Sequence, residues 1–142
     1  MIWPPAPYLP GITPRPSKDH FAPLTATVAG CATPGDLAES PCFRAGFEGF
    51  ARRYYWEAHE LWEPVWMTLP RDSTERALVQ GLIQLANAAL KRRMGRPRAA
   101  DRIIALADTL FPPAEALPVM GVSGADIRRM HHQARQEVHY SA

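Results

Sequence analysis

The chain has 142 residues, a formal net charge of +2, fifteen prolines and two cysteines. This length suits one domain, which would bury roughly 68–70% of the surface that its unfolded chain exposes. Cys31 and Cys42 form no Cys-x-x-Cys pair, so ordinary thiols are predicted rather than a redox or metal motif. The basic residues form separate clusters at 52–53, 91–98 and 128–129. Nucleic-acid binding is therefore not predicted, because it requires basic groups gathered on one face.

The sequence also lacks the signals of export and of membrane insertion. No run of about 18 uncharged apolar residues occurs, so no membrane span and no membrane partner are predicted. The first residues, Met1 to Pro5, have neither the basic region nor the apolar run of a signal peptide. We therefore predict a cytoplasmic protein.

Residues 1–42 form a region of their own, here called the N-terminal arm. It holds nine of the fifteen prolines, a density that disfavours helix and favours extended backbone. Large apolar residues are interleaved with the prolines, among them Trp3, Tyr8 and Phe21. We predict an extended arm that lies over a helical body with its aromatic side chains docked. The alternative is an arm that orders only against another subunit or a partner, which would make the protein a homo-oligomer.

Residues 43–142 show helical periodicity throughout, so the predicted fold is an all-α compact bundle of about five helices. The first helix runs from Cys42 or Phe43 to Arg53, and Gly46 and Gly49 weaken it, so packing must hold it. The others cover 54–69, 74–94 and 97–110, followed by a fifth helix capped by Ser123 and Asp126. Together with the arm, these helices make one domain.

The central helix contains the sequence Tyr-Trp-Glu-Ala-His-Glu-Leu-Trp-Glu-Pro-Val-Trp over residues 55–66. At about 100° per residue, His59, Trp62 and Trp66 share one face, with Glu63 at its edge. Glu57 lies on the opposite side with Glu60 and Pro64, and that side is predicted to face solvent. His59 is the unusual residue, because a titratable ring is placed among aromatic side chains.

The third helix is mostly apolar but carries one polar stripe. The stripe consists of Gln80, Gln84, Asn87 and Lys91, spaced so that they line up along the helix. It is either the narrow solvent-exposed edge of a buried helix or the wall of an internal polar pocket.

Two of these motifs carry a family resemblance. The stretch Tyr55–Glu63 with Trp66, followed by Gln-Gly-Leu-Ile-Gln-Leu-Ala at residues 80–86, resembles the signature of the domain-of-unknown-function 309 (DUF309) family. The resemblance covers roughly Phe43 to Leu110. It implies a compact all-α bundle of the kind found in bacteria and archaea, and it implies no activity.

The chemistry that the sequence leaves open is narrow. A di-iron bundle needs Glu-x-x-His motifs and a zincin needs His-Glu-x-x-His, and neither occurs, so no metal and no cofactor are predicted. No nucleophile elbow and no glycine-rich phosphate loop occur. What remains is a small polar ligand, or acid–base chemistry by His59 oriented by Glu63, in a pocket between the second and third predicted helices. Its candidate residues are His59, Glu63, Trp62, Trp66, Gln80 and Gln84.

The alternative to a pocket is architecture. Buried polar groups must find partners, so a histidine bonded to Glu63 or to an amide is also a common way to fix helix packing. In that case the protein is an interaction or structural module, with the N-terminal arm as its binding element. The sequence does not decide whether the protein is an enzyme.

Overall fold

A computed structural model describes residues 3–141 and confirms the all-α fold. Met1, Ile2 and Ala142, at the outer ends of the predicted arm and helical region, lie outside the described residues. Seven α-helices occur in the described residues. They are α1 (Ala22–Thr25), α2 (Pro34–Glu39), α3 (Pro41–Ala51), α4 (Tyr55–Thr68), α5 (Thr74–Arg93), α6 (Pro97–Leu110) and α7 (Gly124–Gln136). Helices α3 to α7 are the five predicted ones.

Local signals in the sequence set the ends of the long helices. Ser73 caps α5, because its Oγ accepts the backbone N–H of Arg76 at 3.1 Å. Gly95 follows α5 with φ +78°, a conformation that glycine adopts without strain. Ser123 and Asp126 form the predicted capping box at the start of α7.

Helix α5 lies at the centre of the core. It packs against α4, α6 and α7, while α3 packs against α4. Its side chains Leu78, Leu82 and Leu85 are fully buried. None of the helices in the described part of the chain is both long and apolar enough to cross a membrane.

Glycines allow aromatic rings to approach two helices closely. A Cβ atom added to Gly46 of α3 would lie 2.1 Å from Nε1 of Trp62. A Cβ atom added to Gly81 of α5 would lie 2.6 Å from the Phe111 ring. The glycines that weaken these helices locally therefore create the space that the aromatic core needs.

The expectation that the arm contains no helix was wrong for Ala22–Thr25 and Pro34–Glu39. Helices α1 and α2 both carry proline in the first turn, where the missing N–H would have had no helical partner. Thr33 and Asp36 add a capping box to α2. The density of prolines in the arm therefore matters less than their position in each turn.

The described part of the arm before α1 is non-helical and packs on the helices. Trp3, Leu9 and Phe21 belong to the hydrophobic core. Trp3 Nε1 donates to Oε2 of Glu48 at 2.5 Å, and Tyr54 donates its hydroxyl hydrogen to the carbonyl of Pro4 at 2.7 Å. The division into an arm over 1–42 and a helical part over 43–142 stays a prediction.

A buried carboxylate anchors the end of α7. The Glu137 side chain is 5% exposed and accepts hydrogen bonds from the Tyr55 hydroxyl at 2.5 Å and from Arg53 Nε at 3.0 Å. Burial alone would raise the Glu137 pKa, but the bonds from Arg53 and Tyr55 outweigh it and the pKa is lowered. Glu137 therefore stays charged and joins the chain after α7 to the start of α4.

Candidate functional site

His59 and Glu63 form the predicted pair on α4. His59 Nε2 lies 2.9 Å from Oε2 of Glu63. The histidine side chain is 25% exposed and the carboxylate 47% exposed, so the pair lies at the edge of the buried face rather than inside it. Because even a charged pair at a partly exposed surface contributes roughly 0–1 kcal/mol, this contact contributes little to the stability of the fold.

The two tryptophans of the predicted site have different environments. Trp62 is fully buried, donates Nε1–H to the carbonyl of Phe43 at 3.1 Å, and packs against Phe47 at a ring separation of 5.1 Å. It is a core residue. Trp66, one turn later, is half-buried and faces a hollow at the end of α4.

The glutamines of the polar stripe are partly exposed along α5. Within residues 3–141, neither Gln80 nor Gln84 forms a hydrogen bond with His59 or Glu63. Gln80 faces the same hollow as Trp66, and Gln84 does not. The structure therefore divides the predicted site: Trp66 and Gln80 share this hollow, and His59 and Glu63 contact each other outside it.

This hollow, here called the α4–α5 hollow, has a volume of about 450 Å³ and lies where α4 turns into α5. Two of its residues were predicted and the rest were not. It is lined by Trp66, Arg71, Asp72, Ser73, Arg76, Ala77 and Gln80. Two arginines and one aspartate give the lining a formal charge of +1. The first turn of α5 adds the positive end of a 20-residue helix dipole.

Arg76 dominates the chemistry of the α4–α5 hollow. Its guanidinium carbon lies 4.3 Å from the centre of the Trp66 ring, within the range of a cation–π contact. No carboxylate is within ion-pair distance of Arg76 in the described part of the chain. Arg76 Nε and Trp66 Nε1 are both buried without a hydrogen-bond partner. The ring thus holds in place a half-buried cation that no anion among residues 3–141 neutralises.

Glu57 is a residue whose environment the sequence predicted wrongly. It was expected on the wet side of α4, yet it is fully buried. The arm covers it: Glu57 Oε2 accepts the Tyr8 backbone N–H at 2.9 Å, and the Tyr8 ring packs edge-on against Trp56 at 5.0 Å. Helical periodicity could not reveal this, because the covering residues are 49 positions away in the sequence.

The second oxygen of Glu57, Oε1, is buried without a partner among the described residues. Burial raises the Glu57 pKa, and the hydrogen bond from the Tyr8 backbone and the charge of His20 only partly oppose this. A carboxyl whose pKa is raised on folding stabilises the fold below its unfolded pKa. That contribution is lost as the pH rises through the folded value.

We therefore expect Glu57→Gln to become increasingly favourable, relative to the parent chain, as the pH rises above the ordinary glutamate value of 4.5. At pH 8 the variant should be more stable by about 1–2 kcal/mol, the order of cost of a buried unpaired group. Urea unfolding at pH 5, 6.5 and 8 measures the difference.

Glu39→Gln is the control for this prediction, because Glu39 is an exposed carboxylate paired with Arg44. Its effect on the free energy of unfolding should be small at every pH. If the difference between Glu57→Gln and the parent chain does not change with pH, Glu57 is not the titrating group.

No group of three or more His, Cys, Asp or Glu side chains is arranged to hold a metal ion in residues 3–141. The fold and the hollow together define a class of protein: a small all-α protein with an open, positively charged hollow between two consecutive helices.

A family model described as Domain of unknown function (DUF309) matches residues 43–103 of the chain. This confirms the predicted resemblance, although the match ends at Ile103 rather than Leu110. No curated protein and no solved structure matches the chain. The matched segment includes every residue that lines the α4–α5 hollow.

Proposed function

We propose that this protein binds a small anionic ligand, bearing a carboxylate or a phosphate, in the α4–α5 hollow. The observation that carries the proposal is Arg76, a half-buried guanidinium over the Trp66 ring with no counter-ion among the residues that the structure describes. A charge in such a position is costly unless it is paired, and an anion entering the hollow would pair it. A planar guanidinium group can donate two parallel hydrogen bonds to the two oxygens of a carboxylate or phosphate.

The surroundings of Arg76 support the same ligand class. Arg71 supplies a second cation at the rim, and the start of α5 supplies backbone N–H dipoles that favour negative charge. Gln80 offers an amide for a neutral polar group of the ligand. Asp72 is the only carboxylate of the lining, and it disfavours ligands of high negative charge.

The proposal changes the roles of the predicted site residues. Trp66 and Gln80 keep a binding role. Trp62 is part of the core, while His59, Glu63 and Gln84 are not among the lining residues and are not proposed as ligand contacts.

The test is calorimetric titration of the full chain with inorganic phosphate and with acetate, in low salt. We expect saturable binding of one or both anions. Comparing the two affinities distinguishes a phosphate site from a carboxylate site. In Arg76→Gln the affinity should fall by about 10- to 100-fold, since a hydrogen bond to a charged group contributes ~1.5–3 kcal/mol.

Arg44→Gln is the matched control, because Arg44 is an exposed arginine that already has an ion-pair partner in Glu39. It should leave the affinity unchanged. Equal affinities of Arg76→Gln and the parent chain, or no saturable binding of either anion, would refute the proposal.

Self-association through the N-terminal arm stays a prediction. The residues that would have to reach a partner, Trp3, Leu9 and Phe21, are buried in the core of the same chain. This supports docking within one chain and gives no support to an exposed binding element.

A further inference from the structure

A second concave surface lies outside the segment matched by the family model. Here called the α6–α7 cleft, it is formed between the end of α6 and one face of α7 and has a volume of about 670 Å³. Its size is within the usual range for small-molecule sites. It shares no residue with the α4–α5 hollow.

The cleft combines apolar and basic groups. Phe111, Pro112 and Ile127 provide its apolar surface. Arg128 and Arg135 are both exposed, and neither forms an ion pair or a side-chain hydrogen bond within residues 3–141. Apolar surface bordered by unpaired cations is complementary to a molecule with an apolar body and an anionic head.

The acidic group of the cleft is already engaged. Asp108 Oδ1 lies 3.0 Å from Nε2 of His131, so its charge is directed at the histidine rather than at the arginines. His132 adds a second imidazole to the lining. With both histidines neutral, two arginines and one aspartate leave the lining with a formal charge of +1.

We infer that the α6–α7 cleft is a second ligand site, which takes a small amphipathic carboxylate: a free molecule with an aromatic or short aliphatic body and one carboxylate group. The apolar body packs on Phe111 and Ile127, where its burial contributes about 25 cal/mol per Å². The carboxylate is bound by Arg128 and Arg135. This inference is independent of the anion site at the α4–α5 hollow.

The probes are octanoate and octanamide, which have the same aliphatic body and differ in the charge of the head group. The full ¹⁵N-labelled chain is titrated with each and followed by NMR. We expect saturable shifts at Ile127 and His131, with octanoate bound at least 10-fold more tightly than octanamide. In the double variant Arg128→Gln/Arg135→Gln this preference should disappear while octanamide binding is unchanged.

Arg76→Gln is the control, because it alters the other hollow and should leave octanoate binding at the cleft intact. Shifts at Trp66 and Gln80 instead of Ile127 would place the carboxylate in the α4–α5 hollow and overturn the inference. Equal affinity for octanoate and octanamide would also overturn the inference. So would an unchanged preference for octanoate in the double variant. Binding to anionic phospholipid vesicles without saturable octanoate binding would assign the basic residues to a membrane surface and equally overturn it.

Discussion

Replacing Gly46 by alanine is expected to destabilise this protein by about 3 kcal/mol, at the upper end of the cost of overpacking a core. The new Cβ atom would lie 2.1 Å from Nε1 and 2.5 Å from Cε2 of Trp62. Both distances are shorter than any non-bonded contact that a Cβ atom makes in a folded protein. Trp62 is fully buried and packs against Phe47 and Phe50, so moving its ring would disturb the core around it. Displacing it would also break its hydrogen bond to the Phe43 carbonyl.

The substitution is informative because local propensity predicts the opposite sign. Alanine is favoured over glycine in a helix interior by about 1 kcal/mol. Gly35→Ala in α2 is the matched control, since its Cβ would meet only Thr33 Oγ1 at an ordinary 3.6 Å. We expect Gly35→Ala to be neutral or stabilising in the same urea unfolding experiment. A Gly46→Ala chain as stable as the parent would show that α3 and α4 do not pack as described.

Trp3→Ala is expected to have the second large effect, a loss of ~3–5 kcal/mol typical of truncating a buried tryptophan. Trp3 is buried against Gly49 and donates a hydrogen bond to Glu48. Its ring centre lies 5.2 Å from that of Tyr54 and 5.9 Å from that of Phe21. The measurement is thermal and urea unfolding of both chains over a 100-fold range of protein concentration.

The concentration dependence separates the two predicted roles of the arm. If the arm docks within its own chain, the melting temperature of the parent chain does not change with concentration. If it docks on another subunit, stability rises with concentration by mass action. Ile12→Ala is the control in the same arm, because Ile12 is 46% exposed and should change stability by no more than about 0.5 kcal/mol.

The long helices were predictable because their signals are local. The Ser73 cap, the left-handed Gly95 and the Ser123–Asp126 box lie within a few residues of the ends that they define. The same kind of signal was present at Thr33 and Pro34, but the overall proline content of the arm was given more weight than the position of each proline. That error came from averaging composition over a segment in which helix starts are decided by single positions.

The candidate site was predictable only in part. The His59–Glu63 contact follows from one-turn spacing on a single helix, and the structure contains it. Arg76 was not among the predicted site residues, because its contact with Trp66 depends on how the chain turns between two helices. Glu57 was placed on the wrong side because a helical wheel describes the helix alone and not the segment that covers it.

By itself, then, the sequence determined the all-α class, the limits of the five long helices and the resemblance to the DUF309 family. These depend on hydrophobic periodicity, capping residues and short motifs, which act over a few residues. Only the tertiary structure decided which side of α4 is covered and which tryptophan is core. It also decided that Arg76 packs on the Trp66 ring with no carboxylate of the described residues within ion-pair distance. Those properties are set by contacts between residues far apart in the chain, and no local pattern specifies them.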